Sequence, residues 1–142
     1  MTDAGFALAA AYATLLGGLT YNGKSVVLYS LQAPDNAVAP YIILGPWVSV
    51  PAGTKDSFGQ TGEITLDVVT RFTGPVSKKP ATDIANLATA LITPSPGKTG
   101  LSVAGFNVVR VQVVGTRDMP QLSDTDTVVR KIITVSHTLN QV

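Results

Sequence analysis

The chain has 142 residues, a length typical of one domain, and residues 1–142 are expected to fold as a single unit. Hydrophobic residues make up 45% of the chain and charged residues 13%, about half of the roughly 25% usual in soluble proteins. The net charge of +1 argues against a strongly basic nucleic-acid-binding surface, and the absence of cysteine excludes disulfides and cysteine-ligated zinc. A free monomer usually covers itself with charged side chains, so this composition indicates a surface largely covered by protein partners.

The apolar N-terminal stretch, residues 4–19, is predicted to fold as a helix that runs to about Leu16. It is shorter than the ~20 residues that a membrane span needs, and its only nearby charge is Asp3, where a secretion signal would carry Lys or Arg. Thr2 and Asp3 are predicted to cap this helix, and Gly17 and Gly18 to end it. The protein is therefore expected to be made in the cytoplasm and to have no membrane partner.

The alanines at 9, 10 and 13 form a flat, small-residue flank on this helix. Core packing is the favoured explanation for that flank, and docking of another element is the alternative. The larger side chains lie at helical spacing on one face, which predicts that they point into the core. These larger residues are Leu8, Tyr12, Leu15 and Leu19.

Five strands and a second helix are predicted in the rest of the chain. Strands are expected at 24–31, at 41–50 with an irregularity at Pro46, and at 60–73, where apolar and polar residues alternate. A helix follows at 80–92. Its inner side is predicted to carry Ile84, Leu87, Ala88 and Leu91.

Two further strands, 106–117 and 128–139, are predicted to close the chain. The first is expected to carry Val109, Val111 and Val113 on one face, and residues 118–126 are expected to connect the two strands. The order is thus α-β-β-β-α-β-β. This order favours an α+β fold: an antiparallel β-sheet of four to five strands with two α-helices packed on one face.

Short strings that resemble catalytic or metal motifs lack the residues that the chemistry needs. Gly97-Lys98-Thr99 follows a helix and has no glycine five residues before it, so it is predicted to be a turn rather than a phosphate-binding loop. Asp124 and Asp126 provide too few oxygens for calcium. The lone histidine, His137, has no nucleophile motif beside it and is predicted to be an ordinary strand residue. No enzyme, cofactor or metal site is predicted.

Residues 51–59 are predicted to form an irregular, flexible loop that interrupts a hairpin. This segment combines a charge pair, Lys55 and Asp56, with one aromatic residue, Phe58, among small polar residues. Such loops often become ordered on a partner, so a partner contact and a plain flexible loop both remain open. On the strand that follows, Glu63, Asp67 and Arg71 share the polar face, where ion pairing is the simplest role.

The layout of the chain is similar to that of the tail terminator, or tail completion, proteins of long-tailed bacteriophages. Residues 39–45 read Ala-Pro-Tyr-Ile-Ile-Leu-Gly and precede a strand, 62–69, that reads Gly-Glu-Ile-Thr-Leu-Asp-Val-Val. An Ala/Leu-rich helix comes before them, and the helix at 82–91 and two strands come after. The likeness extends from about Ala4 to Leu139; Trp47 has no counterpart in it, and the connection at 118–126 is longer than expected.

The resemblance implies a structural virion protein that forms a ring, usually of six copies, on the head-proximal end of the tail tube. Such a ring ends tube polymerisation and docks the head-completion or connector protein. The implied partners are further copies of the chain, the tail tube protein, the connector-side protein and the tape measure protein. DNA is expected to pass through the lumen of the ring without sequence-specific binding, along a polar, non-basic wall.

The resemblance also suggests roles for the polar segments. Lys55, Asp56 and Phe58 are expected to contact the tube or a neighbouring subunit, and Glu63, Asp67 and Arg71 to face another subunit or the lumen. Three alternatives remain: a connector-side protein of the neck or the corresponding element of a contractile tail, a monomeric α+β module that binds a small molecule or peptide, and a hydrolase that uses its histidine.

Overall fold

The computed structural model describes residues 2–122 and 127–142. Within these ranges the chain forms two helices and eight strands, so the predicted α+β class is confirmed. In chain order they are α1 (Gly5–Leu16), β1 (Thr20–Tyr21), β2 (Lys24–Ser25), β3 (Val27–Ser30), β4 (Tyr41–Leu44), β5 (Val48–Pro51), β6 (Gly59–Phe72), α2 (Lys79–Ile92), β7 (Phe106–Leu122) and β8 (Thr127–Gln141).

Six of the strands form one mixed sheet. The order is β3-β4-β6-β8-β7. Strand β5 pairs with the same edge of β6 as β4 does, but nearer the N-terminal end of β6. All neighbours are antiparallel except β3 and β4, which run parallel because residues 31–40 cross over between them instead of reversing the chain. The expectation of an entirely antiparallel sheet is corrected in this detail. Strands β1 and β2 form a separate two-stranded hairpin.

Both helices pack on one face of the sheet, as predicted. Helix α2 lies against β6 and β8, and α1 contacts α2 and also reaches β8 through Tyr12. The apolar side chains of β6 that were predicted to be buried face the helices, and those of β8 opposite them do the same, because directly paired residues share a face. The largest fully buried aliphatic side chains in this layer are Leu8, Leu16, Ile42, Ile64, Leu66, Ile84, Ile92, Ile133 and Leu139.

Helix α2 matches its predicted bounds but is rotated about its axis relative to the prediction. Ile84 and Ala88 are buried as expected, whereas Leu87 is 42% exposed and Leu91 is also exposed. Alanines and the last residue of the helix form the rest of the face that packs against the core. Its buried residues are Ala81, Ile84, Ala85, Ala88 and Ile92.

Helix α1 begins later than predicted, and its alanine flank faces outward. The N-cap residue is Ala4, and the Asp3 carboxylate accepts a hydrogen bond from the N–H of Gly5 at 2.9 Å. Ala10 and Ala13 are exposed, so core packing, the explanation favoured from the sequence, is wrong for both. The helix carries no charged side chain, and an outward face of this kind is unusual for a free monomer.

Two of the predicted strands are each split. The first is divided between β2 and β3, with Val26 buried between them. The second is divided between β4 and β5 by residues 45–47, which confirms the irregularity expected at Pro46. Gly45 passes so close to Thr65 that a Cβ atom there would overlap the threonine side chain, so the break requires glycine.

The last two strands form a longer hairpin than predicted. Strand β7 continues to Leu122, which pairs with Thr127, so most of the expected connection at 118–126 belongs to the sheet. The register shifts between Val108 and Arg110 and again between Val113 and Gly115. The first shift leaves Val109 exposed, although it was predicted to share a face with Val111 and Val113.

Candidate assembly surface

The segment at 51–59 is the tip of the β5–β6 hairpin rather than an irregular interruption. Thr54 and Ser57 exchange backbone hydrogen bonds at 3.0 and 3.5 Å, and their hydroxyl oxygens lie 2.7 Å apart. Lys55 and Asp56 are therefore the two central residues of a tight turn, and both side chains are exposed. Phe58 is 57% exposed at the base of the turn, where its carbonyl accepts the Gln141 N–H at 2.7 Å.

The predicted polar face of β6 is confirmed as the face that no helix covers, which is called the helix-free face below. It is formed by alternate residues of the three longest strands, and Glu63, Asp67 and Arg71 all lie on it by register. Glu63 is opposite Ser136 and Asp67 is opposite Ile132, and Asp67 forms an ion pair with Arg130 of the neighbouring strand β8. The centre of the face is rich in hydroxyl side chains: Thr61, Thr65, Thr134, Ser136 and Thr138.

Asp67 is held by Arg130 on the neighbouring strand β8. The guanidinium donates from Nε to Asp67 Oδ1 at 3.2 Å, and its Nη2 contacts the other carboxylate oxygen. This bidentate contact raises the pKa of Arg130 further above its ordinary value. No local sequence pattern indicates this partner, since 63 residues separate the two side chains.

The predicted residues of the hairpin tip and the predicted charges of β6 do not form one cluster. The hairpin tip lies at the N-terminal end of β6, beside the last residues of β8, whereas Arg71 lies near the C-terminal end of β6. Glu63 is the nearest of the three charges to the tip, because it pairs with Val48 of β5. The two groups are therefore separate surfaces that are joined by β6.

Exposed hydrophobic side chains lie along both outer edges of the sheet. On β3 and in the segment that follows it they are Val27, Leu31 and Val38, of which Val38 is 81% exposed. Along β7 they are Val109, Val114 and Met119, of which Val109 is 58% exposed. The strand order places these two groups at opposite sides of the molecule.

Open grooves accompany these apolar residues. A groove of about 610 Å³ runs beside α1 between Phe6, which is 89% exposed, and the segment 100–104. A second groove of about 820 Å³ lies between the β7 edge at 109–113 and the turn at 93–97. Both lie on the outer surface and neither is an enclosed ligand cavity; together they enlarge the surface that a protein partner could cover.

The lone histidine is a core residue. His137 is fully buried, its Nε2 lies 2.5 Å from the Tyr12 hydroxyl oxygen, and the rings of Tyr12 and Trp47 meet it edge-on. Burial lowers the pKa of His137 to about 4 and raises that of Tyr12. The prediction of an ordinary strand histidine is confirmed.

Trp47 and Gln60 are structural residues that sequence analysis did not identify. Gln60 is buried, and its Oε1 accepts hydrogen bonds from the Ala4 N–H and the Trp47 indole, each at 3.2 Å. Its Nε2 donates to the carbonyl of Thr2 at 2.7 Å. One amide thus joins the start of the chain, the β4–β5 break and β6.

The remaining predicted motifs are a turn after α2 and a pair of aspartates. Lys98 lies in the turn after α2, as expected for Gly97-Lys98-Thr99. Asp124 and Asp126 lie outside the described residues. Over 2–122 and 127–142 no group of three or more His, Asp and Glu side chains could hold a metal ion. In the same ranges neither helix has the length and apolar character needed to cross a membrane.

Comparison with known proteins identifies a family and a fold. The model of the family described as "Tail completion protein gp17" matches residues 7–136. A solved structure described as "Virion of native gene transfer agent (GTA) particle" contains a similar chain, with a TM-score of 0.61 and 16% sequence identity. That match covers 92% of this chain and 85% of the other, and at this identity it shows a shared fold. Comparison with curated proteins finds no match.

The family match covers nearly all of the described structure. It begins in α1, includes both helices and the β5–β6 hairpin, and ends in β8. The elements that form the helix-free face and both sheet edges therefore lie within the matched range or at its end. The chain belongs to the tail completion protein gp17 family and is a structural protein of phage tails.

Proposed function

We propose that copies of this chain form a ring, of about six subunits in this family, on the head-proximal end of the tail tube. The ring ends tube polymerisation and offers its free side to the connector or head-completion protein. The tape measure protein is a further neighbour at that end. In this arrangement the chain acts through the surfaces that it presents and not through a reaction.

The observation that carries this proposal is the pair of apolar edges on opposite sides of the sheet. A subunit with two different complementary patches makes head-to-tail contacts, and such contacts close into a ring when the rotation between subunits allows it. We assign these two roles to the β3 edge with Val38, which is 81% exposed, and to the β7 edge with Val109, which is 58% exposed. The charged fraction of 13% fits a subunit with both edges covered.

The hairpin tip and the helix-free face receive different roles in this ring. Lys55, Asp56 and Phe58 are exposed at the tip, so we assign them to the contact with the tube or the adjacent subunit. The helix-free face needs no apolar partner because its centre consists of hydroxyl groups. We assign it to the lumen, through which DNA passes, with Glu63, Asp67 and Arg71 facing the channel or the subunit boundary.

Charged substitutions at the two edges test the ring. Val38→Asp or Val109→Asp places a carboxylate in a buried subunit contact, so each is expected to abolish tail attachment while the melting temperature of the purified protein stays unchanged. Val76→Asp is the matched control, because Val76 is similarly exposed but lies in the loop before α2. Electron microscopy of lysates measures attachment. Normal particles with either edge variant would contradict the proposal.

A further inference from the structure

The helix-free face contains every arginine of the chain. Residues that pair directly across an antiparallel ladder share a face, and the register places Arg71, Arg110, Arg117 and Arg130 on the same side as the hydroxyl residues. Only two carboxylates of the described residues, Glu63 and Asp67, lie on this side of the three long strands. Although the net charge of the whole chain is only +1, the helix-free face therefore has an excess of positive charge.

The two arginines of β7 have no ion pair in the described part of the chain. Arg130 is occupied by Asp67, as shown above, whereas Arg110 contacts the neutral side chain of Gln112. Arg117 is exposed beside Thr65, Gly115 and Thr134. These two guanidinium groups are therefore available to an anionic partner.

Spacing and surroundings favour a phosphate backbone over an acidic protein surface. Arg110 is opposite Thr138 and Arg117 is opposite Ile132, so six residues of β8 separate the two positions by about 20 Å at ~3.4 Å per residue. Between them lie threonine and serine hydroxyls, which also contact phosphates in protein–DNA complexes. The centre of a protein interface usually holds aromatic or large aliphatic anchors, and here the central positions are hydroxyl groups.

We propose that Arg110 and Arg117 contact the phosphate backbone of duplex DNA without reading its sequence. This inference rests on the proposed function, in which the helix-free face lines the channel. It refines the expectation of a non-basic wall, since a few arginines per subunit touch the DNA while the total charge remains too small to hold it tightly.

Binding of a labelled 30-base-pair duplex of mixed sequence to the purified protein tests this assignment. Fluorescence anisotropy at 50 mM salt is expected to show binding that weakens as salt rises. In the double variant Arg110→Gln/Arg117→Gln the affinity should fall at least tenfold, and the slope of log K against log salt should decrease by about 2, because each lost phosphate contact removes ~0.9. The matched control, Lys78→Gln/Lys98→Gln, removes the same charge from the helix side and should change the affinity less than twofold.

Three results would overturn the assignment. They are no duplex binding by the wild-type protein, an equal loss in the lysine control, and binding of polyglutamate but not DNA with the same dependence on the two arginines, which would indicate an acidic protein partner. Tail length separates this inference from the proposed function. Particles with the arginine double variant should have tails of normal length, and abnormally long tails would place these residues in a subunit contact instead.

Discussion

His137 is the residue whose burial has the clearest consequence for the pH dependence of stability. It lies between the rings of Tyr12 and Trp47, and its pKa of about 4 is well below the ordinary value of 6.5. The neutral imidazole is therefore the form that the folded core accepts. Since His137 is the only histidine in the chain, no other imidazole titrates between pH 5 and 7.5.

Stability should consequently fall on mild acidification. The unfolded chain takes up a proton near pH 6.5 and the folded chain only near pH 4, so the stabilisation is complete above pH 6.5 and is lost as the pH falls towards 4. Between pH 7.5 and 5 we expect a loss of about 2 kcal/mol, measured by urea unfolding. His137→Gln should be less stable at pH 7.5 but nearly independent of pH in this range. An equally steep decline in His137→Gln would contradict the assignment.

At the residue scale, the sequence predicted which side chains share a face but not which ones touch. Alternation along β6 correctly placed Glu63, Asp67 and Arg71 together, because strand parity is a local property. The partner of Asp67 and the contacts of Gln60 depend on strand register, which is set by residues far away in the chain. Such contacts leave no local pattern.

At the scale of the elements, the long periodic segments were the predictable ones. Strand β6, strand β8 and helix α2 lie close to their predicted bounds because each repeats a clear apolar pattern over more than ten residues. The parallel pairing of β3 with β4 and the two register shifts of β7 were missed. A crossover and a bulge depend on the partner strand, and a bulge reverses the parity on which the sequence argument relies.

The orientation of α2 provides a test at this scale. Ile84→Ala removes a fully buried side chain that faces the sheet and should cost about 2–5 kcal/mol of unfolding free energy. Leu87→Ala, on the exposed side of the same helix, should cost less than about 1 kcal/mol. Urea unfolding of the two variants compares them directly. Equal losses would contradict the described rotation of the helix.

The β5–β6 hairpin is a second element with a testable role. Phe58 is exposed at its base, and its side chain is not needed by the core, so Phe58→Ala should leave the unfolding free energy nearly unchanged. We expect the same variant to bind tail tubes several-fold more weakly in a co-sedimentation assay. Val142→Ala, which removes another exposed apolar side chain, is the control. Undiminished binding by Phe58→Ala would remove the hairpin from the proposed contact surface.

At the scale of the whole molecule, the low charged fraction and the exposed apolar edges have one explanation. A core of this size is already complete, with both helices on one face of the sheet, so the remaining exposed hydrophobic residues are not needed for folding. Most of them lie at opposite edges, along α1 and at the hairpin, which is the distribution expected of a subunit surrounded by several partners. From the sequence, the low charged fraction predicted that partners cover much of the surface. The positions of the apolar patches could be found only from the fold.

Tail length in the absence of this protein is the most direct measurement of the central claim. The gene is disrupted in its parent phage, and lysates are imaged by negative-stain electron microscopy with and without a plasmid copy. We predict full heads beside unattached tubes that are abnormally long or uncapped, with normal particles restored by the plasmid. Tails of normal length beside leaking heads would move the protein to the connector side, and intact infectious particles without the plasmid would contradict the structural role.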